Sequence, residues 1–161
     1  MAVHDIDLLN WYIESEAERV YSEARFSKFK GRGIPDVVFS LIRYKNGVTA
    51  SIETNWNRPA TWKYPLESRL HVSGTKGMAY IDVFDQGLKV YTDDEHLIPD
   101  TIHWPVTNNK ILGALREELN HFIECIIFDR QPMVTGKDGI ESLKVALAIM
   151  DPYEKGEVIQ L

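Results

Sequence analysis

Residues Val37 to Trp56, VVFSLIRYKNGVTASIETNW, hold two alternating, partly β-branched runs that meet at Asn46-Gly47. That dipeptide takes positive backbone angles readily, so it favours a two-residue hairpin turn. With such a turn Lys45 faces Val48, and every other pair follows. One face carries Val37 with Trp56, Phe39 with Thr54, Leu41 with Ile52 and Arg43 with Ala50, and is expected to lie against a helical layer. The other carries Val38 with Asn55, Ser40 with Glu53, Ile42 with Ser51 and Tyr44 with Thr49. This second face is too polar for a core and too apolar for simple exposure. It suits a second sheet or subunit lying over it, or an ordinary solvated face.

The residues before the hairpin add one helix and one strand. His4 to Ile13, HDIDLLNWYI, has apolar residues on more than one side, with Ile6, Leu9, Tyr12 and Ile13 forming a core stripe. His4, Asp7, Leu8 and Trp11 form a second stripe, and an imidazole, a carboxylate and an indole together have the composition of a pocket wall. A histidine near a chain start is also commonly a surface or capping residue. Val20 to Phe29 reads as an edge or second strand. Gly31-Arg32-Gly33 is not a dinucleotide fingerprint, because Pro35 and a strand follow it where a helix would be needed.

After the hairpin, Asn57 to Leu66, NRPATWKYPL, is stiffened by two prolines and carries Arg58, Trp62, Lys63 and Tyr64. Such large groups with polar ends are unusual for an idle connection, although Trp62 and Tyr64 could equally fold back as a lid on the core. Gly74-Thr75-Lys76-Gly77 has the wrong spacing for a phosphate loop and reads as a β-turn between two strands. Leu88 to Tyr91 and Thr101 to Trp104 read as short strands. From Ile111 the period becomes helical, with Leu112, Leu115, Leu119, Phe122, Ile123 and Ile126 on one stripe, expected to cover the hairpin's apolar face. Thr135 and Asp138 are placed as a capping box for a last helix whose buried stripe is expected to be Ile140, Leu143, Leu147 and Met150. Val158 to Leu161 closes the chain as a strand.

With 161 residues, 44% of them hydrophobic, the chain is expected to form one domain over residues 1–161. A net charge of −6 without a clustered basic stripe points away from nucleic acid and anionic membranes. No apolar run is long enough to span a bilayer and no basic-then-apolar leader is apparent, so a cytoplasmic location is expected. The single cysteine, Cys125, lies among helical apolar residues and reads as a buried thiol rather than a nucleophile. His121 and Glu124 lack further ligands at metal spacing, and no G-x-S-x-G elbow occurs, so neither a metal site nor a hydrolase is expected.

Three stretches, AVHDIDLLNW, SGTKGMAYID and FIECIIFDRQPMVTGKDGIESLKVALAIM with YEKGEVIQL, together resemble the C-terminal domain of the Gfo/Idh/MocA family of NAD(P)-dependent sugar and polyol oxidoreductases. The resemblance implies an α+β fold: an open-faced, mainly antiparallel mixed sheet with helices packed on one face, like the C-terminal domain of glyceraldehyde-3-phosphate dehydrogenase. It implies that the free face forms a homo-oligomer interface. It also implies that His4, in an H-x-x-D matched by His4 and Asp7, is the catalytic acid/base beside the substrate hydroxyl. An imidazole titrates near neutral pH and suits that role. Asp7, Trp11, Arg58, Trp62 and Tyr64 are the candidate substrate contacts, for a sugar, polyol or related small molecule. NAD or NADP belongs to the full-length enzyme. No cofactor-binding residue is expected in this chain, because the family's Rossmann domain and lysine motif are not in it. The expectation is therefore an excised or truncated substrate and oligomerisation domain, inactive alone. The alternatives are a stand-alone dimerising scaffold without chemistry, or a sugar-binding module that stacks its ligand on Trp11, Trp62 and Tyr64.

Overall fold

The computed structural model describes residues 2–62, 67–151 and 156–161. The chain falls into two compact units, Met1–Pro59 with Met133–Leu161, and Ala60–Pro132.

The first unit contains α1 (Ala2–Ile13), β1 (Ala17–Arg25), a single 3-10 turn (Lys30–Arg32), β2 (Val37–Tyr44), β3 (Thr49–Asn55), α3 (Gly136–Met150) and β10 (Ile159–Gln160). Its strands form an antiparallel sheet in the order β10-β1-β2-β3. Alternate residues of the sheet point one way, and those on one face, Val20, Ile42, Tyr44 and Ile52, close over Ile6 of α1 and Val145, Ala148 and Ile149 of α3. Full burial of each large apolar side chain here contributes about 1.5–3 kcal/mol. The Ser22 hydroxyl, sealed in the same layer, donates to the Ile149 carbonyl at 2.5 Å. Among the described residues no helix of this unit lies on the other face, which leaves Phe39 and Leu41 exposed. The expected architecture, an α+β fold with helices on one face of an antiparallel sheet, is thus present.

The hairpin register differs from the one expected. Val37 pairs with Asn55, Ser40 with Ile52 and Ile42 with Ala50. The Gly47 amide donates to the Tyr44 carbonyl at 2.9 Å, and the Tyr44 amide donates to the Val48 carbonyl at 2.9 Å. The loop therefore holds Lys45, Asn46 and Gly47, and only Gly47, at φ 92°, lies in the left-handed region. This is a type I turn closed by a glycine bulge, in place of the two-residue turn that Asn-Gly suggests. Asn46 is otherwise engaged. Its side-chain amide donates to the Ile13 carbonyl at 3.1 Å, its oxygen accepts from the Val48 amide, and its own amide donates to the Ser15 hydroxyl. Because side chains alternate, this one-residue slip exchanges the faces of β2: Ser40, Ile42 and Tyr44 are buried, while Phe39 and Leu41 point outward. The faces of β3 are as expected.

The second unit contains β4 (Arg69–Gly74), β5 (Gly77–Asp82), β6 (Val90–Tyr91), β7 (His96–Leu97), β8 (Val106–Thr107), β9 (Lys110–Ile111) and α2 (Ala114–Ile127). β4 and β5 pair through the tight turn expected at Thr75-Lys76, and the short strands pair two by two. Residues 101–104 are bends rather than a strand, because the amides of Ile102, His103 and Trp104 are taken by the Asp100 carboxylate. Gly113, at φ 91°, opens α2 where a Cβ would stand 2.4 Å from the Ile102 carbonyl oxygen.

Two helical expectations are corrected. The helices on the sheet are α1 and α3, whereas α2 belongs to the second unit with Leu115, Leu119, Phe122, Ile123 and Ile126 exposed. On α3 the buried residues are Ser142, Val145, Ala148 and Ile149, and the expected stripe of Ile140, Leu143, Leu147 and Met150 is exposed. Both stripes have helical period; periodicity identifies an apolar face without saying what lies against it.

Candidate functional site

The feature around which a site can be built is α1. Ile6 is completely buried, and Leu9 and Ile13 pack at the core's edge, which fixes the helix against the sheet. The side that remains outward carries His4, Leu8 and Trp11, the last 69% exposed. Tyr12, expected in the core, is half exposed and lies against Trp11 with ring centroids 4.9 Å apart.

A polar chain holds the helix in rotation as well as in depth. The Ser142 hydroxyl of α3, buried, donates to Asp7 Oδ1 at 3.1 Å and accepts from Asn10 Nδ2 at 3.4 Å. Asn10 Oδ1 in turn accepts from the Tyr44 hydroxyl of β2 at 3.2 Å. The buried hydroxyls of Ser142 and Tyr44 thus both have partners, as burial demands. Burial pushes the Tyr44 phenol up to about 12, so it stays a donor throughout the neutral range. Asp7 is thereby directed towards α3, while His4, one turn earlier, stands free of the network in solvent. Burial raises the Asp5 carboxyl next to it, and attraction to His4 offsets part of that rise.

The other candidates are distributed. Arg58 is half-buried in the segment after β3, where its amide donates to the Trp56 carbonyl at 2.8 Å and its carbonyl accepts from Lys28 Nζ at 3.2 Å. Trp62 belongs to the second unit and stacks on Phe84 at 5.5 Å. Tyr64 lies outside the described residues. On α1, therefore, His4 and Trp11 stand outward while Asp7 turns to α3, where Ser142, Asn10 and Tyr44 join it unforeseen. Asn10 had a readable signal, since it sits three residues after Asp7 on a mostly apolar helix; Ser142 had none.

Among the described residues, no three His, Cys, Asp or Glu side chains cluster as metal ligands. His121 Nε2 lies 3.6 Å from the Sγ of Cys125, which is buried as expected. A dinucleotide cradle needs a glycine-rich turn opening an α-helix. Gly31 and Gly33 instead lie in and after a single 3-10 turn before β2, and Gly74 and Gly77 pair across the β4–β5 hairpin. Neither arrangement fits a pyrophosphate. No helix described is long and apolar enough to cross a membrane.

Comparison with known proteins agrees with this architecture. A family model described as "GFO/IDH/MocA C-terminal domain" matches residues 1–80. An uncharacterised oxidoreductase of Bacillus subtilis, YrbE, is 26% identical over 164 aligned residues, covering 100% of this chain and 47% of that protein. The NAD(+)-dependent scyllo-inositol 2-dehydrogenase of the same organism is 24% identical, covering 99% of this chain and 46% of its own length. The chain thus spans about half the length of the curated relatives it matches. Among solved structures, myo-inositol 2-dehydrogenase from Lactobacillus plantarum superposes with a TM-score of 0.75 at 22% identity, covering 100% of this chain and 47% of that one. Sequence and fold lead to one assignment: this chain is a C-terminal domain of the GFO/IDH/MocA family.

Proposed function

We propose that this chain is the substrate-binding and oligomerising half of an NAD- or NADP-dependent sugar or polyol oxidoreductase of the cytoplasm, with the cofactor carried by a companion dinucleotide-binding domain. His4 takes and returns the proton of the substrate hydroxyl, a task matched to an imidazole near neutral pH. Asp7, Trp11, Arg58, Trp62 and Tyr64 are the residues proposed to contact substrate. A second copy covers the open sheet face. One observation carries the reading: His4 and Trp11 stand outward on a helix that Ile6 and the Ser142–Asn10–Tyr44 chain hold from behind. Preorganised support of this kind is what positions a reacting group.

The test joins the chain covalently to the dinucleotide-binding half of an inositol dehydrogenase. The chimera is expected to oxidise inositols or related polyols, and His4→Asn to lower kcat by about 100-fold or more and remove the limb of the pH–rate profile near neutral pH. Unchanged activity in the His4→Asn chimera would take His4 out of the reaction. Tight binding of NAD(H) by the chain alone would overturn the division of labour.

A further inference from the structure

The connection from β1 to β2 concentrates positive charge in a chain whose net charge is −6. Arg25, Lys28, Lys30 and Arg32 fall within one stretch of eight residues, and all four are exposed. None of them makes an ion pair among the described residues. The acids that flank them in sequence are already committed. Asp36, fully buried, turns its carboxylate onto the amides of Ser27 and Phe29, and Glu23 accepts from the Tyr21 hydroxyl. The four cations therefore meet solvent without a paired carboxylate of the chain's own. The backbone that carries them is fixed: the Arg32 amide donates to the Phe29 carbonyl at 2.8 Å, the Gly33 amide to the Lys30 carbonyl at 3.1 Å, and the Asp36 amide to the Arg25 carbonyl at 2.8 Å.

This connection lies at the same end of the sheet as His4. Ile13, the last residue of α1, accepts from Asn46 in the β2–β3 turn, and Asn10 accepts from Tyr44. α1 thus runs alongside β2 towards that turn, and its first turn, with His4, is at the opposite end. There β1 finishes at Arg25, β2 starts at Val37 and β3 finishes at Asn55. Arg58 is tied in at that end too, since the Trp56 amide donates to the Asp36 carbonyl at 2.8 Å and Lys28 Nζ to the Arg58 carbonyl at 3.2 Å. We propose that the substrate is a sugar or polyol bearing an oxyanion, carboxylate or phosphate, which Lys28, Lys30 and Arg32 attract and hold while His4 works on a hydroxyl. The inference rests on the substrate-binding reading above and adds the charge class of the substrate. Recognition is by side-chain charge, since the single 3-10 turn at Lys30–Arg32 offers no helix N-terminus as a phosphate cradle. A planar, forked guanidinium at Arg32 suits either oxyanion, and the flexible ammonium groups beside it adapt to both shapes. Clustered like charges also raise the local concentration of an anionic substrate and speed its capture. A neutral inositol gains nothing from them.

The experiment titrates the full chain with glucose, glucuronate, glucose 6-phosphate and inorganic phosphate, followed by amide shifts in NMR spectra. Glucuronate or glucose 6-phosphate is expected to bind about 10-fold or more tightly than glucose, with the largest shifts over residues 28–32. That gap should shrink as salt rises from about 0.05 M to about 0.5 M. The tighter of the two acidic sugars identifies the oxyanion. Lys30→Gln with Arg32→Gln is expected to close the gap with the circular dichroism spectrum kept, whereas Lys45→Gln with Lys144→Gln, which removes the same charge elsewhere, leaves it open. Acidic and neutral sugars bound alike, a gap untouched by the Lys30 and Arg32 pair, or inorganic phosphate bound as tightly as glucose 6-phosphate would each overturn the proposal. The covalent chimera separates this from the enzymatic reading. A chimera that oxidises neutral polyols while the chain shows no gap sinks the charge preference and keeps the oxidoreductase reading. A gap in the chain beside a chimera inactive on every sugar sinks the oxidoreductase reading and keeps the anion site.

Discussion

The residue with most at stake is Ser142, a small hydroxyl on an otherwise apolar helix side, buried where it meets both Asp7 and Asn10. Ser142→Ala leaves a carboxylate and an amide without their shared partner, and is expected to cost about 1–3 kcal/mol in urea unfolding. Asp36 makes a second case. It is fully buried, its carboxylate accepts from the amides of Ser27 and Phe29, and its backbone joins β1 to the segment after β3 through Arg25 and Trp56. Burial alone would raise its carboxyl, but the hydrogen bonds outweigh it and hold it below the ordinary carboxylate range. A group depressed on folding stabilises above its unfolded value and stops doing so as pH falls through its folded one. The urea midpoint should therefore drop from about pH 5 downward, and Asp36→Asn should be less stable at pH 7 with a flatter acid limb. A midpoint for Asp36→Asn equal to the parent's at pH 7 would contradict this. At this scale the sequence was partly legible. The outward placing of His4 and Trp11 could be read from helical spacing, but Ser142 and Asp36 could not, because their partners lie on other elements and only the tertiary fold supplies them.

At the scale of elements, the capping box at Thr135 and Asp138 was readable and forms as expected, since both halves of the motif lie within one turn. The β2–β3 turn was readable as a turn but not as to type. Asn-Gly is compatible with both a two-residue and a bulged three-residue loop, and the choice fell to Asn46, whose side chain is held by the carbonyl of Ile13, the last residue of α1. Gly47→Ala tests the assignment. At φ 92° a side chain is strained, while its Cβ would meet only Arg43 Nη2 at an ordinary 3.6 Å, so the cost is one of backbone alone. We expect about 1–2 kcal/mol lost in thermal or urea unfolding, with the fold kept. An alanine variant as stable as the parent would speak against the left-handed geometry at this position. Helix faces were the least legible feature. The stripes on α2 and α3 were correct as periodicities and misassigned as burial, because a single chain's pattern records what must be covered and not what covers it.

For the molecule as a whole, the fold class was carried by the Val37–Trp56 hairpin with its flanking helices, and the family by the first helix, the S-G-T-K-G-M-A-Y-I-D turn and the D-R-Q-P-M-V-T-G-K-D-G tail, and both withstand comparison with known proteins. Neither described glycine pair forms a dinucleotide cradle and the matched relatives are about twice as long, which supports the proposal that the cofactor is carried by a companion domain. The three-residue connection at Lys45–Gly47 has a last consequence. Exposed hairpin tips are ordinarily where a lineage gains or loses a residue without penalty. Here a shortening by one would rotate every side chain of β2 through half a turn, sending Phe39 and Leu41 inward and expelling Ile42 and Tyr44. Length drift at this tip should therefore be as strongly forbidden as a charge placed in the interior.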